Sequence, residues 1–270
     1  MNLSPPLPLS VAIVTLNEDS NLPRLLDSLD GLAAEIIVID SGSTDRTEEI
    51  ARQSGAHFEV VPWRGFIAQK NLSLDACTQP WVLFLDADEA LSPELAESLL
   101  RLFANGRTPE ADGYWLNRRT WYLGAWIWHA WYPEWRLRLL KRGSARWGGM
   151  DPHAALEFTG RSARLEGDLL HYSFRDLNDH LTRTIGYART MAQSQIATGK
   201  QFRWHRLLLS PWVAFFKHLV LKQGLRDGWR GWLISIIRAI DCFAKYAFLL
   251  ERDLTKSDQL PKVDSGSPRR

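Results

Sequence analysis

Apolar and amphipathic segments alternate along the first hundred residues of the chain. Each apolar segment predicts a buried strand, and each amphipathic segment, with apolar residues every three or four positions, predicts a helix. The strands are expected at 10–16, 35–40, 57–63 and 81–88, and the helices at 21–29, 44–55, 68–77 and 92–103. Because strands and helices alternate at this spacing, we expect an α/β fold with a parallel sheet and crossover helices.

The pattern changes at about Tyr114, where short stretches rich in aromatic residues and arginine replace the alternation. Two of them, YWLNRRTWYLG and EWRLRLLKRG, predict antiparallel strands, whereas WGGMDPHAALEF predicts a turn-rich loop. LLHYSF predicts one more strand, and a long helix is expected to follow it and to end at Gly199.

The last third is predicted to form basic amphipathic helices. Between residues 229 and 248 apolar residues recur at helical spacing, and Arg230, Arg238, Asp241 and Lys245 fall on the other face. Residues 200–252 hold ten Lys or Arg against three Asp or Glu, together with four of the thirteen Trp. This combination predicts helices that lie in an anionic membrane surface; simple packing of the helices on the rest of the chain is the alternative.

Composition narrows the class of protein. The 270 residues carry a formal net charge of only +2, which does not indicate a nucleic-acid partner. Cys77 and Cys242 build no disulfide framework, which suits a reducing compartment. We find no basic region of a secretory signal and no apolar run of membrane-spanning length. We therefore expect a cytoplasmic protein, held peripherally at the inner face of the cytoplasmic membrane.

Polar residues directly follow the predicted strands, at the edge where parallel sheets bind their ligands. Two carboxylates one residue apart, Asp86 and Asp88, suit a divalent cation such as Mg²⁺ or Mn²⁺ that also carries substrate phosphates. A group of acids capping the next helix is the alternative interpretation. A calcium loop is disfavoured because Leu91 stands where that loop requires glycine.

Three segments, VAIVTLNE, VIDSGSTDRT and QKNLSLDACTQPWVLFLDADE, occur in this order along the chain. In these segments the chain resembles the nucleotide-sugar glycosyltransferases of family 2, and in particular the branch of the lipopolysaccharide-core β-glucosyltransferases. The resemblance is strong from Leu9 to Phe103 and looser up to the C-terminal helices. It implies a GT-A fold, in which a nucleotide-binding, Rossmann-like mixed sheet is flanked by helices.

The sequence pattern and the resemblance together divide the chain into four segments, of which the disordered tail is expected from its polar composition alone. Residues 1–108 would form the half that binds the nucleotide sugar, and 109–199 the acceptor-side half of the same domain. Residues 200–254 would be the membrane-associating helices, and 255–270 a disordered tail.

Carried over position by position, the resemblance implies a donor site and a metal pair. Asp88 and Asp86 are implied as ligands of the divalent cation, with Asp88 coordinating directly and Asp86 nearer the ribose. Asp45 also matches the family pattern, but its spacing to Glu48 favours a helix cap. The residues implied in donor binding are Thr15, Asn17, Glu18, Asp40, Lys70, Asn71 and Asp86.

Family members invert the anomeric carbon in one displacement, which requires a carboxylate that takes the proton of the acceptor hydroxyl. Asp151, which follows two glycines in GGMDPH, is the first candidate, and a turn before Pro152 is an equally good explanation of it. Glu134 is the second candidate, with an ion pair to Arg136 or Arg138 as its alternative.

The function expected is therefore transfer of a sugar from a nucleotide-sugar donor, a UDP-hexose, to a lipid-linked glycan such as the lipopolysaccharide core. A sugar-1-phosphate nucleotidylyltransferase shares such a sheet, but TLNED follows the first strand where that chemistry requires a glycine-rich phosphate loop. A non-catalytic scaffold docked on the membrane is the third hypothesis. The presence of Lys70, Asp86 and Asp88 argues against it.

Overall fold

A computed structural model of the protein describes residues 5–150 and 153–257. The chain forms two compact units, divided between Ser173 and Phe174, and each has a hydrophobic core of its own. The strands of the first unit are β1 (Leu7–Thr15), β2 (Ala33–Asp40), β3 (His57–Val60), β4 (Trp81–Asp86), β5 (Glu89–Leu91), β6 (Gly113–Tyr122), β7 (Ala125–Trp126), β8 (Glu134–Lys141), β9 (Ala145–Met150), β10 (His153–Phe158) and β11 (Ser162–His171). Its α-helices are α1 (Leu22–Asp27), α2 (Thr47–Gln53), α3 (Phe66–Asp75) and α4 (Pro93–Leu102).

One mixed sheet organises the first unit, in the strand order β3-β2-β1-β4-β8-β6-β11-β5. The strands β3, β2, β1 and β4 are parallel, as the alternating sequence pattern predicts. β8 runs antiparallel to both β4 and β6, and β5 runs antiparallel to β11. The strands β6, β8 and β11, all after residue 109, therefore extend the same sheet that the first hundred residues begin, whereas β9 and β10 form a separate two-stranded sheet.

The central strands are apolar on both faces because helices cover both sides of the sheet. Leu9, Val11 and Ile13 of β1 belong to the larger core, which also contains the apolar faces of α1 and α4. Ala12 of β1 and Phe84 of β4 belong to a smaller core on the other side. Ser92 caps α4, since its Oγ accepts a hydrogen bond from Leu95 N at 3.2 Å.

The prediction of a turn-rich loop at residues 147–158 is wrong, because β9 and β10 pair there as an antiparallel hairpin. Contacts distant in sequence hold this hairpin. Asn71 of α3 exchanges two hydrogen bonds with the backbone of Trp147, at 2.8 and 2.9 Å, and the Trp147 ring packs against Phe84 at 5.1 Å. Such tertiary contacts outweigh the local turn signal of the two glycines.

The second unit is helical, with α5 (Leu177–Ala197), α6 (Trp204–Phe216) and α7 (Trp229–Ser257). A π-helical turn at Lys217–Leu221 and a 3₁₀ turn at Gly224–Asp227 join α6 to α7. Gly231 lets the start of α7 pack tightly, since a Cβ there would lie 1.8 Å from the carbonyl oxygen of Gly224. α5 confirms the predicted long helix, and α7 confirms the predicted C-terminal amphipathic helix.

Only part of the apolar face that the sequence predicts for α7 is buried. Ile237 and Ala244 are buried, whereas Trp232, Ile236 and Phe243 are exposed. The division arises because α5 and α6 both pack on α7 and cover only part of its apolar surface. Among the helices that the structure describes, none is both long and apolar enough to cross a membrane.

Candidate active site

The carboxyl ends of β1, β2 and β4 meet at one edge of the sheet. Thr15 lies opposite Asp40, and Val14 lies opposite Asp86 in the neighbouring strand. Thr15 Oγ1 donates a hydrogen bond to Asp40 Oδ2 at 2.8 Å, while the other oxygen of Asp40 accepts from the backbone of Gly42 and Ser43. Because Asp40 is only 1% exposed, its role in this structure is to shape the loop that follows β2.

The loops that follow β1 and β2 brace each other through hydrogen bonds. Asn17 adopts a left-handed backbone with φ of 55°, which asparagine tolerates better than most residues. Its side-chain oxygen accepts from Thr44 N at 2.9 Å, and its own N–H donates to Ser43 Oγ at 2.7 Å. Glu18 N donates to Thr47 Oγ1 at 2.8 Å. These contacts make the two loops one wall of the site.

Asp86 ends β4 between two cations. Lys70 Nζ lies 3.2 Å from its Oδ1, and Arg138 Nη2 lies 2.6 Å from its Oδ2. Burial alone would raise the pKa of this carboxyl, but the charges of Arg138 and Lys70 outweigh burial and hold the pKa well below its usual range. Asp86 is therefore ionised, and its charge is already balanced by the protein.

A buried ionic network continues from Asp86 into β8 and β6. Glu89 accepts hydrogen bonds from Arg138 at 2.7 Å and from Arg118 at 3.2 Å, and its side chain is 0% exposed. Arg118 Nε in turn lies 2.8 Å from Glu134, which also pairs with Arg136. The ion pair of Glu134 with Arg136, which the sequence offers as the alternative to a catalytic role, is thus present, and Arg118 is a second partner.

Asp88 lies in the turn between β4 and β5, and its carboxylate contacts His171. His171 Nε2 is 3.4 Å from Asp88 Oδ2, and Nδ1 of the same ring is 3.2 Å from Thr120 Oγ1. Burial raises the pKa of Asp88, but the hydrogen bond and charge of His171 outweigh it, and the net shift is downward. His171 is the last residue of β11 and lies within the segment LLHYSF, which predicts a strand but no part of the site.

Lys70 and Asn71 of α3 have different roles. Besides its ion pair with Asp86, the Lys70 ammonium lies over the rings of Phe84 and Trp147, at 4.9 and 4.4 Å from their centroids. Asn71 instead ties α3 to the backbone of Trp147. The structure therefore brings Lys70 to the carboxylates and uses Asn71 to hold the β9–β10 hairpin beside them.

The sequence matches the family model Glycosyl transferase family 2 over residues 10–159. The chain belongs to this family. It is 32% identical to the lipopolysaccharide core biosynthesis glycosyltransferase LpsC of Rhizobium meliloti, over 96% of this chain and 97% of that protein. It is also 29% identical to an uncharacterized glycosyltransferase of Rickettsia typhi, over 91% of this chain and 88% of that protein. The resemblance inferred from the motifs is confirmed, and the mixed sheet flanked by helices is the expected GT-A fold.

Solved structures show weaker likeness. Staphylococcus aureus TarS, in its fragment 1–349, aligns with a TM-score of 0.47 at 13% identity over 92% of this chain and 91% of that chain. Glucosyl-3-phosphoglycerate synthase from Mycobacterium tuberculosis, solved with Mn²⁺ and UDP-glucose, aligns with a TM-score of 0.32 at 32% identity over 43% of each chain.

Of the two candidates for the general base of this glycosyltransferase, the structure describes only Glu134. Asp151 lies outside the described residues. Glu134 lies at the start of β8; burial would raise the pKa of its carboxyl, but Arg118 and Arg136 outweigh burial and lower it. A carboxylate so stabilised is a weaker base.

The types of residue at this site suit a divalent cation. Within the described ranges, however, no group of three or more His, Cys, Asp or Glu is arranged to hold one. Asp88 offers a carboxylate whose neighbour is an imidazole. In the described part of the chain no Lys or Arg forms an ion pair with it as Lys70 and Arg138 do with Asp86, although the more distant charge of Arg118 acts on it as well. Mn²⁺ accepts both carboxylate oxygen and imidazole nitrogen as ligands, whereas Mg²⁺ prefers oxygen. The pair Asp88 and His171 therefore fits a cation better than Asp86 does.

Proposed function

We propose that this glycosyltransferase moves a sugar from a UDP-linked donor to a lipid-linked glycan, with inversion at the anomeric carbon. The observation that carries the proposal is the contrast between two neighbouring carboxylates. Asp86 is neutralised by Lys70 and Arg138, whereas among the described residues Asp88 pairs with the imidazole of His171 and with no Lys or Arg. A relative that matches nearly the whole chain is named for lipopolysaccharide core biosynthesis, which supports a lipid-linked glycan of that kind as acceptor.

The donor would bind along the carboxyl edge of β1, β2 and β4. The braced loops after β1 and β2 supply a wall for the uridine, and Asp40 contributes by fixing the second of these loops. The ammonium of Lys70 is the cation of α3 that can meet the diphosphate. The proposed donor residues are Thr15, Asn17, Glu18, Asp40, Lys70, Asn71 and Asp86.

A divalent cation, Mn²⁺ or Mg²⁺, would be held by Asp88, with His171 beside it and Asp86 as the second carboxylate. Bound there, it would neutralise the charge of the departing nucleoside diphosphate. The protein holds Asp86 and Asp88 ionised without metal, since both carboxyl pKa values are lowered by their partners. The site is thus prepared for a cation at neutral pH.

Turnover of nucleotide sugars tests this function. Purified protein is incubated with UDP-, GDP- and TDP-hexoses and Mn²⁺, and release of the nucleoside diphosphate is followed with and without a core oligosaccharide. We expect release from a UDP-sugar that accelerates when the oligosaccharide is added. Absence of release from every donor would refute the function and favour a scaffold.

Asp151→Asn is expected to leave UDP binding unchanged and to lower the transfer rate by about 10²–10⁴-fold, the usual contribution of a general base. Glu134→Gln is the comparison variant, and we expect it to keep most of the transfer rate because Glu134 is engaged by two arginines. Initial transfer rates at saturating donor, beside the dissociation constant of UDP, measure both. Normal transfer by Asp151→Asn would assign the base to Glu134 or another residue.

The second unit would hold the enzyme at the inner face of the cytoplasmic membrane, where a lipid-linked acceptor is found. A cavity of about 310 Å³ near the connection from α5 to α6 is lined by three basic side chains, those of Lys200, Arg203 and Arg206. Exposed apolar residues continue along the helices, with the Phe215 ring of α6 against Trp232 of α7. The exposed apolar residues are Trp204, Leu208, Leu209, Trp212, Val213 and Phe216 of α6 and Trp229, Trp232, Ile236 and Phe243 of α7. Cations beside such an apolar surface favour an anionic lipid surface as its occupant.

Replacing Lys200, Arg203 and Arg206 by Gln is expected to weaken binding to vesicles containing phosphatidylglycerol by about 100-fold, at about 1 kcal/mol for each cation near an anionic surface. The control replaces Arg107, Lys141 and Arg142, which are exposed residues of the first unit, and changes the net charge equally. Vesicle sedimentation measures both. Equal binding by the two triple variants would contradict the membrane site.

A further inference from the structure

A row of aromatic side chains begins at the backbone of Asp88, the candidate metal ligand. Tyr172 N donates a hydrogen bond to the carbonyl oxygen of Asp88 at 2.8 Å, and the Tyr172 ring meets Trp126 edge-on at 5.5 Å. The guanidinium of Arg119 lies over Trp126 at 5.0 Å and over Trp128 at 4.3 Å. Asp88 is thus connected through consecutive contacts to the ring of Trp128.

Charged and aromatic neighbours hold the Trp128 ring in place. Arg119 forms an ion pair with Asp168 at 3.3 Å, and Tyr132 donates its hydroxyl to the same carboxylate at 3.1 Å. The Tyr132 ring meets Trp128 edge-on at 5.7 Å. A ring fixed in this way loses little conformational freedom when a ligand packs on it.

Trp128 is nevertheless 49% exposed, while Ile127 before it and Ala130 two residues after it are buried. A fixed, half-exposed indole beside an arginine and a carboxylate has the two properties that a sugar ring requires. The apolar C–H face of the sugar packs on the aromatic ring, and its hydroxyls meet the charged groups.

The position of this row in the sheet separates it from the donor site. The proposed donor loops follow β1 and β2, which lie on one side of β4. Arg119 and Asp168 belong to β6 and β11, on the other side of β4 and β8. A ligand on Trp128 would therefore approach Asp88 from the side opposite to the nucleotide.

We propose that Trp128 is the stacking platform for a sugar ring of the acceptor glycan, with Arg119 and Asp168 as the polar groups that orient its hydroxyls. The proposal rests on the proposed function, because it assigns the acceptor subsite of that reaction. Trp128 is here a residue that binds substrate and takes no part in proton transfer.

The test uses full-length protein and a deacylated core oligosaccharide from rough-type lipopolysaccharide as the probe. Its dissociation constant is measured by saturation-transfer NMR, beside that of UDP with Mn²⁺. Trp128→Ala is expected to weaken oligosaccharide binding about tenfold and Trp128→Tyr less than Trp128→Ala, while UDP binding is unchanged. The matched control is Trp63→Ala, since Trp63 is also 49% exposed and also contacts another ring, that of Phe66.

Two results would overturn the platform while leaving the proposed function in place: wild-type affinity for the oligosaccharide in Trp128→Ala, or equal losses in Trp128→Ala and Trp63→Ala. Wild-type protein that binds UDP but not the oligosaccharide would also overturn it. Failure of the wild type to bind UDP would refute the proposed function itself. The thermal midpoint of each variant verifies that the fold is retained.

Discussion

Asp88→Asn is expected to lower the rate of sugar transfer at least about 100-fold, which corresponds to about 2.7 kcal/mol in the activation barrier. Asparagine keeps the size of the side chain but removes the negative charge that would attract the cation. Metal-dependent binding of UDP should be lost in parallel, whereas the fold should be retained because Asp88 lies in a turn and its side chain pairs with His171 alone among the residues that the structure describes.

The matched control for this variant is Asp75→Asn, because Asp75 is also an ion-paired carboxylate but lies at the exposed end of α3 with Arg146. It should transfer sugar at the wild-type rate. Transfer rates at several Mn²⁺ concentrations, measured for both variants, separate a metal defect from a folding defect. Wild-type turnover by Asp88→Asn would remove Asp88 from the metal site.

Arg138→Met is expected to destabilise the protein by about 3–5 kcal/mol, because it leaves charges buried without their partner. Arg138 is only 5% exposed and contacts both Asp86 and Glu89. Arg136→Met is the control, two residues along the same strand, and it should cost less than about 1 kcal/mol because Arg136 is 49% exposed. Urea unfolding followed by tryptophan fluorescence measures the difference. Equal losses in both variants would contradict a special role of the buried network.

The loss in Arg138→Met should also depend on pH. The pKa of Asp86 is lowered in the folded protein, so its ionised form contributes stability in full above the unfolded pKa of about 3.9, and that contribution is lost progressively as pH falls below this value. Without Arg138 the pKa of Asp86 rises towards its ordinary value. The difference in unfolding free energy between wild type and variant should therefore be largest near neutral pH and shrink in acid. A difference in unfolding free energy that does not change with pH would assign the loss of stability to packing.

Sequence periodicity predicted the part of the site that parallel strands bring together. Thr15, Asp40 and Asp86 each end or nearly end a strand, and the carboxyl ends of parallel neighbours meet at one edge. The alternation of strands and helices was thus sufficient to predict that these side chains converge. It could not predict that Asp40 would be buried in hydrogen bonds to its own loop.

The rest of the site depends on pairings between distant segments, which local patterns do not encode. His171 reaches Asp88 because β5 pairs with β11, and Arg138 reaches Asp86 because β8 lies beside β4. Arg138 and Arg142 lie close together in the sequence, but the pairing of β8 with β4 places only Arg138 near Asp86. Arg142 follows the end of β8 that lies beside Trp81, at the opposite end of β4 from Asp86.

Calorimetric titration of UDP into the wild-type protein tests the central claim most directly. Titrations are carried out with Mn²⁺, with Mg²⁺ and with EDTA, and Asp88→Asn is measured in the same three buffers. We expect binding in the presence of either cation, at least about tenfold weaker binding in EDTA, and no effect of metal in Asp88→Asn. UDP affinity that is equal with cation and with EDTA in the wild type would contradict the account, as would absence of UDP binding.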